Sequence, residues 1–274
     1  AEPELQELVN EGYEYNYTIK KDQILKILMK KSNLWLMQQG FFMSITMGTL
    51  IWLPTLYTSK LNYEGVDDAA ATIAAGYLYA ILQAGGMFSV YFGHLGDKMQ
   101  RRTYRGRGIL GAVTLSAAIP LYILMFHVPM RGLVLPEGAE PIGVLIALIK
   151  QIFTNPWMFI MFVLAVGATA AQSAHSPNYL ALITDVNLPE HRAIVFSATN
   201  FINGIGKALG NVLIGVVLNI AANYFAEPFN YLFTMTFFQL FLIPSVISYI
   251  MVSKNCGRDI RNIKLTLKKR SRCS

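Results

Sequence analysis

The sequence has few charged residues and few cysteines, and both shortages narrow the class of protein. Only 14% of its 274 residues are charged, whereas soluble domains average about 25%, which argues against a soluble globular domain. The two cysteines, Cys256 and Cys273, both lie in a basic stretch near the end of the chain. No disulfide framework is therefore indicated.

Sequence patterns typical of enzymes are also missing. The four histidines are scattered without metal-ligand spacing, and there is neither a G-x-S-x-G nucleophile elbow nor a G-x-x-x-x-G-K-[ST] phosphate loop. We therefore expect no enzyme activity, no metal and no cofactor. The net charge of +7 does not indicate a nucleic-acid partner, because the lysines and arginines lie in loops beside apolar runs.

Six apolar segments are each long enough for a membrane span, which needs about 20 residues. Apart from Lys207 in the fifth, they contain no Asp, Glu, Lys or Arg. We predict an all-α integral membrane protein with six transmembrane helices, at about 34–57, 69–93, 108–127, 156–183, 193–223 and 229–252. Residues 34–252 would form the membrane domain, between a cytoplasmic connector with an amphipathic segment (1–33) and a basic cytoplasmic tail (253–274).

The distribution of basic residues predicts the orientation of the spans. Lysines and arginines crowd into the connector, the loop between the second and third segments, and the tail, whereas acidic residues collect in the other loops. Because cytoplasmic loops are enriched in Lys and Arg, both termini are predicted to be cytoplasmic in a multi-pass protein of the plasma membrane. The apolar run 142–153 is too short to cross and predicts an interfacial helix on the outer face.

The stretch 93-GHLGDKMQRR-102, between the second and third segments, carries a family resemblance. It resembles the loop signature G-x-L-A-D-[RK]-x-G-R-[RK] of the major facilitator superfamily, with matches at Gly93, Leu95, Asp97, Lys98, Arg101 and Arg102. Gln100 replaces a glycine of the signature, and a turn with positive φ would be strained there. The stretches 184-TDVNLPEHR-192 and 200-NFINGIGKALG-210 are similar to the superfamily branch of spinster-like and organic-anion carriers.

The resemblance implies a fold and a mechanism. A complete major facilitator has twelve spans in two six-span halves, and this chain resembles the C-terminal half, so we expect an N-terminal six-helix half, or a second copy, as partner. The resemblance implies a secondary carrier, a symporter working by alternating access. The first, second, fourth and fifth spans would line its cavity, the third and sixth would face lipid, and Asp97 with its basic neighbours would clamp against the other half.

Polar residues in the fifth segment predict a substrate cavity. Asn200, Asn203, Lys207 and Asn211 recur at steps of three and four and so share one helix face. Lys207 would lie about 21 Å into the membrane, where an ionisable group is a functional candidate; a structural ion pair or a snorkelling lysine is the alternative. Gly206 and Gly210 form a separate small-residue face suited to helix packing.

The fourth segment and its following loop supply the remaining candidates. Gln172, His175 and Tyr179 share a face beside Pro177, which indicates either a binding element in a broken helix or a kinked packing helix. Gln83 is a weaker cavity candidate. The loop residues Asp185, Glu190 and Arg192 are predicted to hold the inner gate together with the motif residues Gly93, Asp97, Lys98, Arg101 and Arg102, with a salt bridge between Asp185 and Arg192.

These patterns favour a secondary active transporter that moves a small solute across the lipid bilayer, with ion coupling. Lys207 favours an organic anion as substrate. The alternative is a membrane sensor or assembly subunit that uses a carrier-derived fold without transporting. A homodimer of six-span halves is a third arrangement that the sequence leaves open.

Overall fold

The computed structural model describes residue 17 and residues 19–136 and 140–271. The first sixteen residues of the predicted connector, the last three of the predicted tail, and Cys273 with them, lie outside the described residues. Twelve α-helices and two short 3-10 turns, Lys21–Gln23 and Ala84–Phe88, make up the regular structure of the described part. The helices are α1 Ile24–Leu28, α2 Lys31–Leu50, α3 Leu53–Tyr63, α4 Asp68–Leu82, α5 Ser89–Arg102, α6 Gly106–His127, α7 Pro141–Thr154, α8 Pro156–Ser173, α9 His175–Asp185, α10 Pro189–Ala222, α11 Phe229–Gln239 and α12 Leu242–Ser271.

Within the described residues, six helical segments are long and apolar enough to cross a membrane, which confirms the predicted all-α, six-span fold. We name them spans 1 to 6. In order, they are Lys31–Tyr63, Asp68–Arg102, Gly106–His127, Pro156–Asp185, Pro189–Ala222 and Phe229–Arg270. Several spans are longer than the apolar segments predicted from the sequence, because the helix continues into the polar residues at their ends.

Spans 1, 2, 4 and 6 each consist of two helices, with proline or glycine near the junction. Pro54 lies in the first turn of α3, Pro177 in that of α9, and Gly85 and Gly86 in the 3-10 turn between α4 and α5. Because proline lacks an N–H, it fits a first helical turn, where that group has no intrahelical partner. The predicted break of the fourth span therefore falls at Ala174, just before Pro177.

The stretch 93–102, expected to be a loop, belongs to a helix. It forms the last turns of α5, and the chain turns afterwards, at residues 103–105. Gln100 is helical, so the missing glycine causes no strain there; positive φ among the described glycines occurs at Gly65 and Gly132.

The spans pack in two linked groups. Span 1 lies against spans 5 and 6, and span 3 lies against spans 4 and 6, while span 2 contacts span 4. Spans 2 and 5 are the least buried of the six. These two spans therefore present the largest faces that the described residues leave uncovered.

The two ends of the bundle differ. At one end, which we call the basic end, α12 continues the sixth span and buries Ile260, Ile263 and Leu267. The stretch predicted to be a separate basic tail is thus helical and packed as far as it is described. At the opposite end, α7 lies between spans 3 and 4 and packs against α4 and α8.

Candidate functional site

An exposed polar strip runs along span 5. Asn200, Lys207 and Asn211 are all exposed on α10, and Lys207 has no hydrogen bond or ion pair with any described side chain. Lys207 lies about 27 Å from the start of a helix about 50 Å long, at 1.5 Å per residue, and therefore near its middle. The backbone beside it touches span 1, since a Cβ at Gly48 would lie 3.0 Å from the Lys207 carbonyl oxygen.

Asn203, predicted to share this face, instead turns towards span 1. With its amide oriented so that both groups are satisfied, its nitrogen donates to the carbonyl oxygens of Gly40, at 3.3 Å, and Thr199, at 3.1 Å. The small Gly40 leaves room for it, because a Cβ there would meet both the Asn203 amide and the hydroxyl of Tyr179. The structure therefore separates Asn203 from Asn200, Lys207 and Asn211.

His175 and Tyr179 belong to a buried polar cluster between spans 1, 4 and 6. The His175 Nδ1 atom lies 2.8 Å from the hydroxyl of Tyr249 and 3.1 Å from the amide nitrogen of Gln39. The Tyr179 hydroxyl donates to the carbonyl of Leu36 at 3.2 Å. Tyr179 is 4% exposed and Gln39 is fully buried, while His175 is half-buried, so these groups join helices and expose little surface of the described chain.

Gln172 and Gln83 lie apart from that cluster. Gln172 is buried, accepts a hydrogen bond from the Tyr122 hydroxyl on span 3, and places its amide nitrogen 3.2 Å from the sulfur of Met47 on span 1. Gln83 stands at the end of α4, where span 2 breaks into its 3-10 turn. The predicted cavity residues thus divide into the exposed strip on span 5, a buried cluster around His175, and these two helix-junction glutamines.

Arg107 joins three spans at the basic end. Its guanidinium donates to the carboxylates of Asp97 on span 2 and Asp185 at the end of span 4. The Arg107 side chain is 14% exposed and that of Asp185 is 22% exposed, so solvent has only limited access to this salt bridge. Arg107 is the partner that the structure shows for Asp185, while Arg192 lines the same cavity of about 460 Å³.

Gln100, the departure from the family signature, takes part in this bridge. Its amide nitrogen donates to Asp185 at 3.2 Å, and its amide oxygen accepts from the backbone N–H of Arg107 at 3.2 Å. A glycine at this position would make neither contact. Gln100 therefore ties the end of span 2 to the start of span 3 and the end of span 4.

The other motif residues fall into two groups. Gly93 and Gly96 lie where span 2 meets span 4: a Cβ at Gly93 would approach the Pro177 ring to 3.3 Å, and one at Gly96 would overlap the Asn178 side chain. These glycines therefore permit spans 2 and 4 to approach closely, and they do not form a turn. The cations Lys98, Arg101 and Arg102 are exposed at the end of α5.

A second ionic group at the basic end connects α12 to the rest of the molecule. Arg270 donates to Glu190, in the first turn of α10, at 2.9 Å. Lys30 donates to the carbonyl of Val186 and lies 3.6 Å from Asp259. Burial lowers the pKa of the Lys30 ammonium, and the Asp259 carboxylate offsets this only in part.

Several of these groups escape prediction from the sequence. Tyr122 and Tyr249 are polar residues in apolar runs, and no spacing marks them, or the neighbouring pair Gln38 and Gln39, as neighbours of His175 or Gln172. Arg107 stands among five basic residues between 98 and 107, and its partial burial alone separates it from the others. A pairing across spans requires knowledge of which helices pack together, which sequence periodicity does not contain.

Six apolar helical segments long enough to cross a membrane in the described chain define a multi-pass membrane protein. The sequence model of the Major Facilitator Superfamily matches residues 6–211, about three-quarters of the chain. The chain belongs to this superfamily, which confirms the resemblance at the level of the superfamily and not of a branch, and it is accordingly a membrane transporter protein. No curated protein matches the chain.

Proposed function

We propose that the chain forms one half of a secondary active carrier that moves a small organic anion by alternating access, and that Lys207 contacts the substrate or the coupling ion. The observation that carries the proposal is the position of Lys207, exposed near the middle of span 5 without an ionic partner among the described residues. A charged group facing lipid at that depth is costly, so such groups face a bundle interior or a water-filled cavity.

The same argument requires a cover over spans 2 and 5. The exposed face of span 5 includes Lys207, Asn200 and Asn211, which cannot face acyl chains without loss of hydration. Span 2 is the other span that the described residues leave largely uncovered. An N-terminal six-helix half, or a second copy of this chain, would enclose these side chains in a cavity between the two halves. Spans 2 and 5 would then contribute most of this half's surface to the interface.

The preference for an anion follows from the charge of the strip. Between residues 193 and 223 the chain contains one ionisable group, Lys207, and no Asp or Glu. Asn200 and Asn211 add amide donors on the same side of the helix. A carboxylate or phosphate could therefore accept hydrogen bonds from the strip without meeting a carboxylate of this span.

The ionic bridge at the basic end suits an inner gate. Arg107 holds the ends of spans 2 and 4 together through Asp97 and Asp185, and span 4 is broken at Ala174. When the cavity switches its opening from one side of the membrane to the other, these helix ends would separate or reorient. We also propose that the basic end is cytoplasmic and that the protein lies in the plasma membrane, since Lys and Arg are enriched on the cytoplasmic side.

Uptake into proteoliposomes tests the proposal. The chain is reconstituted by itself and together with any sequence encoded upstream in its native gene, and uptake of organic anions and cations is measured under an imposed pH gradient. We expect anion uptake that Lys207→Gln abolishes. Lys254→Gln, which removes one exposed lysine from α12, is the matched control and should retain uptake.

The outcomes separate the alternatives. Uptake that needs the upstream sequence supports a carrier of two unlike halves, while uptake by the chain alone supports a dimer of six-span copies. Preference for cations, unchanged by Lys207→Gln, would remove the anion hypothesis. Absence of uptake in both preparations would favour the non-transporting sensor or assembly subunit.

A further inference from the structure

A cavity of about 700 Å³ lies at the end of the bundle opposite the Arg107 bridge. It is bounded by the chain that follows span 3, by α7 and by the start of span 4. Side-chain-to-backbone hydrogen bonds fix its walls: Gln151 pairs with both the N–H and the C=O of Val134, at 2.9 and 2.5 Å. Asn155 donates to the carbonyl of Arg131 at 2.9 Å.

The cavity is positively charged. Arg131 and Lys150 line it together with neutral residues, and no carboxylate is among its described lining. The Arg131 side chain is 70% exposed and its nearest carboxylate, Glu64, is 3.8 Å away. Lys150 is exposed and has no ion pair with a described residue. Two cations therefore face the cavity, and of the two only Arg131 has a described carboxylate partner, Glu64.

An apolar stripe lies beside the cavity on α7. Ile142, Ile146, Ile149 and Phe153 are 67%, 62%, 48% and 72% exposed, and their spacing places them on one helix face. The opposite side of α7 packs on the protein through Val144, Leu148 and Ile152. Lys150 projects between the stripe and the cavity, and Trp157, a residue type enriched at membrane interfaces, lines the far wall.

We infer that this cavity and stripe bind an anionic phospholipid, with the phosphate held by Arg131 and Lys150 and an acyl chain lying along the stripe. The juxtaposition of a cationic cavity, whose described lining holds no carboxylate, with an exposed apolar helix face matches the two parts of a phospholipid. A soluble anion would use the cavity but not the stripe, and a neutral lipid would use the stripe but leave Lys150 without an ionic partner among the described residues.

Quenching of Trp157 fluorescence tests this binding. The chain has three tryptophans, so Trp35→Phe with Trp52→Phe leaves Trp157 as the only reporter. The protein is placed in phosphatidylcholine nanodiscs containing increasing fractions of either brominated phosphatidylglycerol or brominated phosphatidylcholine. We expect half-maximal quenching at a phosphatidylglycerol fraction about tenfold lower than for phosphatidylcholine, since each basic residue near an anionic lipid surface contributes appreciably.

Substitutions distinguish the inference from general membrane attraction. Arg131→Gln with Lys150→Gln should bring the two lipids to within about twofold of each other, whereas Arg131→Lys should keep the preference. Lys20→Gln with Lys21→Gln removes the same charge from the basic end and should also keep it. These substitutions should leave the walls of the cavity intact, because Asn155 donates to the backbone carbonyl of Arg131 and not to its side chain.

Three results would overturn the inference. The first is equal quenching by both lipids in the Trp157 reporter protein that keeps Arg131 and Lys150. The others are a preference for phosphatidylglycerol that survives loss of both cations, and displacement of the lipid by soluble glycerol phosphate. The last would identify a site for a free anion. Native mass spectrometry of the wild-type protein, with its three tryptophans intact, measures retained phosphatidylglycerol independently and should show the same loss in the doubly substituted protein.

Discussion

At the scale of single residues, two lysines in the membrane domain have opposite environments. Lys60 is 5% exposed, and its ammonium donates to the carbonyls of Phe126, at 3.1 Å, and Val128 at the end of span 3. The last carbonyls of a helix lack intrahelical partners, so Lys60 completes the end of that helix. Lys207 is exposed and makes no such contact.

The two lysines should therefore separate stability from transport. Lys60→Met leaves two buried carbonyls without their donor, and we expect a loss of about 1–3 kcal/mol in the free energy of unfolding. Lys207→Met should change stability by less than about 0.5 kcal/mol while abolishing uptake. Thermal unfolding in detergent and proteoliposome uptake measure the two effects. Equal destabilisation by both substitutions would show that Lys207 has a structural partner.

Lys30 predicts a pH dependence of stability. Burial holds the pKa of Lys30 in the folded protein below its ordinary value of 10.5. Between the lowered pKa of the folded protein and the ordinary value, the unfolded chain binds more protons than the folded one. The free energy of unfolding should therefore rise with pH up to about 10.5. The gain is limited to about 1.4 kcal/mol per pH unit.

Lys30→Arg supplies the comparison, because arginine keeps its charge throughout this range. We expect the wild type to gain stability relative to Lys30→Arg as the pH rises towards 10.5, measured by chemical denaturation in detergent. Other lysines titrate equally in both proteins and cancel. Parallel stability curves would show that Lys30 titrates normally.

At the scale of elements, glycines decide how closely spans 1 and 5 approach. A Cβ at Gly206 would lie 2.5 Å from the Phe41 carbonyl oxygen, and one at Gly210 would lie 3.0 Å from the Ile45 Cα. These are backbone atoms of span 1, which cannot move aside as a side chain would. Gly204, on the same helix, has nothing within 4 Å of such a Cβ.

Gly206→Ala and Gly210→Ala should each destabilise the protein by about 1–3 kcal/mol through overpacking. Gly204→Ala, the matched control, should be neutral or stabilising by up to about 1 kcal/mol, because alanine has the higher helix propensity. Thermal unfolding of the three purified variants compares them directly. A similar loss in all three would point to helix flexibility, and not to contact with span 1, as the role of these glycines.

Sequence patterns predict the number of spans better than their ends. The apolar core of the membrane demands long uncharged helices, and all six exist. Outside that core, side-chain packing determines where a helix ends. Helix α12 continues to Ser271 because Ile260, Ile263 and Leu267 are buried against the rest of the protein. The motif residue Gln100 is helical for a related reason, since its amide bridges Arg107 and Asp185.

The candidate site shows the same division. Spacing places Asn203 and Lys207 about 40° apart on one helix, at 100° per residue. Whether each is covered depends on the position of the neighbouring span, and span 1 covers Asn203 through Gly40 while leaving Lys207 exposed. Periodicity therefore finds the polar face, but helix packing divides it between a buried contact and an open strip.

At the scale of the whole molecule, the exposed arc of span 5 has two halves of different polarity. Asn200, Lys207 and Asn211 lie next to span 1, whereas the exposed Val212 and Val216 lie about 140° or more from Lys207 at 100° per residue. An arc facing lipid throughout would be apolar throughout. The polar half is the part that an adjoining half-carrier would enclose around water, and the apolar half suits lipid or a dry helix contact.

Cysteine accessibility tests this division. With Cys256→Ala and Cys273→Ser as background, single cysteines are introduced by Asn211→Cys and Val216→Cys, in membranes that contain the assembled carrier. A charged maleimide should label position 211, because a thiol reacts as the hydrated thiolate, and should leave position 216 unlabelled. Labelling of both positions after denaturation in detergent is the control that each cysteine is present and reactive. Labelling of 216 but not 211 by the charged reagent would place the water on the other side of span 5 and remove Lys207 from the transport path.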